Sequence, residues 1–132
     1  MPTFDATFQS IPGTEAALGR AGGHTVVADR LDGTAGGMGI GFNGGELLAL
    51  ALGGCLSNDI RYAAHALGVD VEDISISVSV DFEGTPLVAR SARLNVDCTG
   101  ASDEDIARVV EQAWAGSAVA NSLKAGFPVT IG

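Results

Sequence analysis

Along this chain the apolar residues recur in two rhythms, every second position in some stretches and every third or fourth in others. Phe4, Ala6 and Phe8 alternate with Asp5, Thr7 and Gln9, the period of a half-buried strand, and the run stops before Ile11-Pro12-Gly13. A second short strand is expected around Glu15 to Gly19. After the Gly22-Gly23 break, His24 to Arg30 reads as a third, and the short spacings predict an antiparallel meander. Further on, Ile74, Ile76, Val78, Val80 and Phe82 alternate with Ser75, Ser77, Ser79 and Asp81, so one sheet face is core and the other is wet. Glu83-Gly84-Thr85-Pro86 turns the chain into a partner strand, Leu87 to Cys98. Leu94, Val96 and Cys98 fall on its apolar face, and the pair predicts a long hairpin.

Between the two strand regions the rhythm changes. Gly33 to Gly45 holds seven glycines and reads as a loop. Asn43 then stands as an N-cap, with Glu46 three positions on where a capping-box carboxylate belongs, and a helix is predicted from Gly44 to Leu67, stopping at Gly68. Its first half, Leu47 to Leu56, is apolar on every side, so it is expected to be buried all round. Ser102-Asp103-Glu104-Asp105 opens a second helix whose stripe is Ile106, Val109, Val110 and Ala113. A break near Gly116, a restart at Ser117 as N-cap and an end at Gly126 leave Phe127 to Ile131 as a last short strand, placed at an edge by Pro128. The order β-β-β-α-β-β-α-α-β makes residues 1–132 one α+β domain, with antiparallel sheets packed around a central buried helix.

Composition narrows the partners. The formal charge is −9, and the 7 basic residues are scattered, so there is no basic footprint for a phosphate backbone or an anionic membrane. No stretch reaches the roughly 20 apolar residues that span a bilayer, and the N-terminus lacks a signal-peptide pattern, so the expected location is the cytoplasm. There the 2 cysteines are expected as free thiols.

Candidate chemistry is sparse. Gly39-Ile40-Gly41-Phe42-Asn43-Gly44 fits the bare Gly-x-Gly-x-x-Gly pattern, but no parallel strand–helix–strand unit surrounds it; a loop is the better reading and no cofactor is expected. His24 and His65 show no metal-ligand spacing with each other or with either cysteine. Cys55 lies mid-helix behind Gly53-Gly54 and can be read as a small core residue or as a reactive thiol. Asn58 and Asp59 sit at i+3 and i+4 on its face; a carboxylate there works against a thiolate, and an arginine would have to offset it. Glu46 is about 13.5 Å along the axis from Cys55 on an ideal helix, so it caps its own helix or serves a site completed by other segments. Cys98, at a strand end on the core face, reads as a packed thiol.

The run Gly36-Gly37-Met38-Gly39-Ile40-Gly41-Phe42-Asn43-Gly44-Gly45-Glu46-Leu47-Leu48, continuing to Gly53-Gly54-Cys55, resembles the hallmark of the OsmC/Ohr family of peroxiredoxin-like proteins. The C-terminal Val119 to Val129 segment resembles it too, and the likeness covers nearly the whole chain. It implies an intertwined homodimer with the two central helices packed together and sites at the interface. It also implies that Cys55 attacks the O–O bond of a hydroperoxide held in an apolar pocket, with Arg30, or less well placed Arg20, stabilising the thiolate and Glu46 orienting the arginine. In the family a second cysteine resolves the oxidised first. Here Ser117 occupies that position, leaving an external thiol, or Cys98 as a displaced resolving thiol, to complete the cycle. Active members carry the glutamate ten residues before the cysteine, where this chain has Gly45, and Glu46 stands one step later. The rival expectation is a non-catalytic dimeric scaffold or small-molecule binder in which Cys55 only packs.

Overall fold

The computed structural model describes residues 1–132, which divide into two compact units, Met1–Leu48 and Ala49–Gly132. The first is an antiparallel meander of β1 (Thr7–Ser10), β2 (Ala17–Ala21) and β3 (His24–Ala28), followed by the glycine-rich loop and the start of α1 (Gly44–Leu67). β1 begins three residues later than the alternation predicts, and Phe4 and Phe8 are exposed rather than core. β2 ends at Ala21 and the chain turns at Gly22-Gly23, and the pairing stops at Thr7 opposite Arg20, so residues 4–6 have no ladder partner. Phe8 instead lies across its pairing partner Gly19, where a Cβ would come within 2.5 Å of the ring, so any larger residue at 19 would displace that exposed side chain. β2 also starts later than expected, because Thr14 builds the connection: its N–H and Oγ1–H both donate to Ile11 O and its Oγ1 accepts from Ala16 N–H.

The C-terminal unit contains most of α1, the hairpin β4 (Ile74–Glu83) and β5 (Val88–Cys98), and the helices α2 (Asp103–Ala115) and α3 (Ala118–Ala125). Its core is one cluster. Leu56, Ile60, Ala63 and Ala64 of α1 meet Val109 and Ala113 of α2, and the apolar faces of β4 and β5, Ile74, Ile76, Leu94, Val96 and Cys98, pack against them. The strand alternation is as read from the sequence from Ile74 to Val80, with Ser75 opposite Asp97 and Ser77 opposite Asn95 on the wet face, but the register shifts between Asp81 and Phe82 and leaves Phe82 exposed rather than core. Gly53 lets the sheet come close: a Cβ there would stand 3.0 Å from the Val78 side chain of β4. At its far end α1 is tied to the start of the hairpin by Arg61, whose guanidinium donates to the carbonyls of Val71 and Glu72.

Two expectations for this unit fail. The first half of α1 is not buried all round: Leu50, Ala51 and Gly54 are exposed, and the buried positions Leu52, Leu56, Ile60, Ala63 and Ala64 form one stripe. The hairpin and α2 can cover only that stripe. Nor is there a terminal strand; Phe127, Val129 and Ile131 are exposed and no strand pairs with them. Their alternation is that of a strand, but ladder hydrogen bonds need a neighbour, and Pro128 has no N–H to give.

Candidate functional site

Within α1 the spacing of four residues brings Asp59 one turn beyond Cys55 on the same face. The thiol donates to Asp59 Oδ2, with Sγ and Oδ2 3.4 Å apart. A second group reaches the sulfur from a distant part of the sequence. Ser117 is fully buried, at 0% exposure, and its hydroxyl donates to Cys55 Sγ at 3.8 Å. This corrects the expectation that Ser117 serves as a side-chain cap. It does occupy the N-cap position of α3, with φ −69° and ψ 107°, but its side chain makes no cap hydrogen bond. Such a bond contributes about 0.5–2 kcal/mol where it forms. Here the hydroxyl is turned to the sulfur instead. Ser102, at the head of α2, does what Ser117 does not, accepting from Asp105 N–H.

Cys55 is partly buried, and the polar groups bonded to its sulfur are a carboxylate acceptor and a hydroxyl donor. Cys98 has a different setting. It packs against the core cluster, and burial, then the Asp97 carboxylate, push its thiol above the ordinary range, with Arg61 opposing. Both cysteines are free thiols.

The other candidate residues lie in the N-terminal unit. Glu46 and Asn43 form a reciprocal capping box: Glu46 N–H donates to Asn43 Oδ1 at 2.8 Å and Asn43 N–H donates to Glu46 Oε1 at 3.0 Å. Arg30 follows β3, and its Nη2 donates to Glu15 O at 2.6 Å and to Asp29 Oδ1 at 3.2 Å, while its Nε–H is buried without an acceptor. Arg20 is exposed on β2. His24 and His65 are exposed, and no three His, Cys, Asp or Glu side chains gather into a metal-binding group.

One residue of consequence escaped the sequence reading. Asp29 is 6% exposed, and its carboxylate accepts from the backbone N–H groups of Arg30, Met38 and Ile40 as well as from the Arg30 guanidinium. Burial by itself would push this carboxyl up. The N–H donors and the Arg30 charge outweigh it and hold the group below the usual carboxylate range. The glycine-rich loop is therefore folded around an anion, and Phe42 closes it back onto β3 through Phe42 N–H to Val27 O and Asp29 N–H to Phe42 O. The signal available in the sequence was an acidic residue just past a strand end, four positions before the first of a run of glycines whose amides need an acceptor.

The sequence profile of the OsmC-like protein family matches residues 35–132. No curated protein matches the chain by sequence. Among solved structures, a protein of Aquifex aeolicus superposes with a TM-score of 0.77 at 16% identity, covering 99% of this chain and 94% of that one. An OsmC-like protein from Mycoplasma pneumoniae gives 0.76 at 16% identity, covering 93% and 88%. An organic hydroperoxide resistance protein OsmC from Legionella pneumophila gives 0.69 at 20% identity, covering 94% and 90%. These superpositions establish a shared α+β fold.

Proposed function

The chain belongs to the OsmC-like family, and from that premise we propose that it is a thiol-dependent reductase of organic hydroperoxides with Cys55 as the nucleophile. The observation that carries the reading is the polar setting of one sulfur: Cys55 Sγ is hydrogen-bonded to both the Asp59 carboxylate and the Ser117 hydroxyl, whereas a thiol that merely fills space needs neither. In the reaction Cys55 sulfur attacks the terminal oxygen of the hydroperoxide and the O–O bond breaks. The alcohol leaves and Cys55 becomes a sulfenic acid. With serine at position 117, an external thiol attacks that sulfur and releases water, and a second thiol frees Cys55 from the mixed disulfide. Thiols for this step are plentiful in the cytoplasm, the location that fits the cycle.

Arg30 and Glu46 enter as the activating pair implied by family membership, Arg30 as the cation for the thiolate and Glu46 as its orienting carboxylate. The protein acts as a homodimer. The exposed Leu50, Ala51 and Gly54 of α1 support that reading, because an uncovered apolar helix face suits another helix. No helix is long and apolar enough to cross a membrane.

A second reading, a non-catalytic scaffold or small-molecule binder, draws on the Asp59 carboxylate accepting the Cys55 thiol hydrogen, which leaves the thiol a satisfied donor inside its own helix. Hydroperoxide consumption with excess thiol separates the two. The reductase loses turnover in Cys55→Ser and keeps it in Cys98→Ser; the scaffold consumes hydroperoxide no faster than its Cys55→Ser variant. Loss of turnover in Cys98→Ser as well, with a Cys55–Cys98 disulfide by intact mass, would give Cys98 the resolving role.

A further inference from the structure

The polar groups around Cys55 form an ordered set, and their direction matters. Sulfur donates to Asp59 and accepts from Ser117, so a proton can leave to one group while a hydrogen bond from the other supports the developing charge. Asp59 is placed by helix register alone. Ser117 comes from a different helix, is fully buried, and turns its hydroxyl away from the cap position it occupies. Meanwhile the side chains of Glu46 and Arg30 are bonded to Asn43, Glu15 and Asp29. We propose that Asp59 is the proton acceptor for Cys55 and that Ser117 holds the sulfur by hydrogen bonding, a local carboxylate–thiol–hydroxyl relay within the C-terminal unit. This deepens the reductase reading and rests on it.

The step balances as follows. As the sulfur lone pair attacks the terminal oxygen of ROOH, the thiol proton passes to Asp59 Oδ2 and the O–O bond breaks. The leaving alkoxide takes that proton from Asp59 as ROH. The transferred oxygen keeps its own hydrogen, giving Cys55–SOH; sulfur loses two electrons and the peroxide gains them. The Ser117 hydrogen stays on its oxygen throughout, bonded to sulfur while negative charge passes through it.

The test is the single-turnover rate of Cys55 oxidation by an organic hydroperoxide at neutral pH, in wild type, Asp59→Asn, Asp59→Ala with and without formate, Ser117→Ala, and Cys55→Ser as baseline. Asp59→Asn is expected to slow the step by about ten- to a hundredfold, at the low end of what a general base contributes. Formate is expected to restore part of the rate in Asp59→Ala, which a purely structural role would not allow. Ser117→Ala is expected to slow it by a few-fold. An Asp59→Asn rate equal to or above wild type, the outcome if the carboxylate only repels the thiolate, would overturn the relay and leave the reductase reading standing. Should Asp59→Asn fail to fold, absence of formate rescue in folded Asp59→Ala overturns the relay on its own. A wild-type rate no greater than that of Cys55→Ser would overturn the reductase reading and the relay with it.

Discussion

In the N-terminal unit backbone amides from the loop converge on the carboxylate of Asp29, and Ala16 is the one apolar side chain there that is almost fully buried. In the C-terminal unit Leu56, Ile60 and Val109 are sealed from solvent in a single apolar cluster. The first arrangement is directional: it fixes where each loop amide points but depends on one ionised group. The second is set by volume and area, and tolerates changes of charge around it far better than changes of shape. The two regions should therefore fail under different insults.

The largest effect is expected from cutting the apolar cluster. Ile60→Ala removes a fully buried side chain and is expected to destabilise the C-terminal unit by about 2–5 kcal/mol, read by denaturant unfolding with the fluorescence of Trp114 on α2. A loss under about 1 kcal/mol would mean the cluster collapses around the gap and is less close-packed than its burial implies. A smaller, local effect is expected in the other unit. Asp29→Asn keeps the shape but loses the charge, so hydrogen exchange at the Met38 and Ile40 amides should accelerate while exchange in β4 and β5 stays as it was. Unchanged protection at those two amides would show that the loop holds itself.

The third difference is one of pH, and its sign is opposite in the two units. Asp29 is held below its unfolded value, so its contribution to stability is present above about pH 4, where the unfolded carboxylate titrates, and is lost as pH falls through the folded value. Cys98 is held above its unfolded value. Its contribution is present below about pH 8.5 and is lost as pH rises through the folded value. Urea midpoints followed against pH should accordingly lose their acid dependence in part with Asp29→Asn and their alkaline dependence in part with Cys98→Ser, the latter being the smallest of these effects. Identical pH curves for Cys98→Ser and wild type would place that thiol in water.

Much of this was legible in the residues. The bounds of α1, its capping box, the Ser102 cap of α2 and the alternation of β4 are all local patterns: hydrogen bonds three or four residues apart, and side chains two apart. Where an alternation lacked a neighbour it misled, as at Phe4 and at Phe127 to Ile131, because period two records a strand's preference and not the presence of a partner. The apolar first half of α1 misled in the same way: it announces surface that wants cover, and this chain covers one stripe of it.

The candidate site divides along the same line. The sequence by itself put Cys55 on a helix with Asp59 one turn away, since helix geometry fixes that pairing wherever the helix goes. Only the tertiary structure could show that Ser117, 62 residues on, leaves its cap to face that sulfur, or that loop amides gather on Asp29. Contacts of that kind depend on how separate elements come together in space, and nothing periodic in the chain records them.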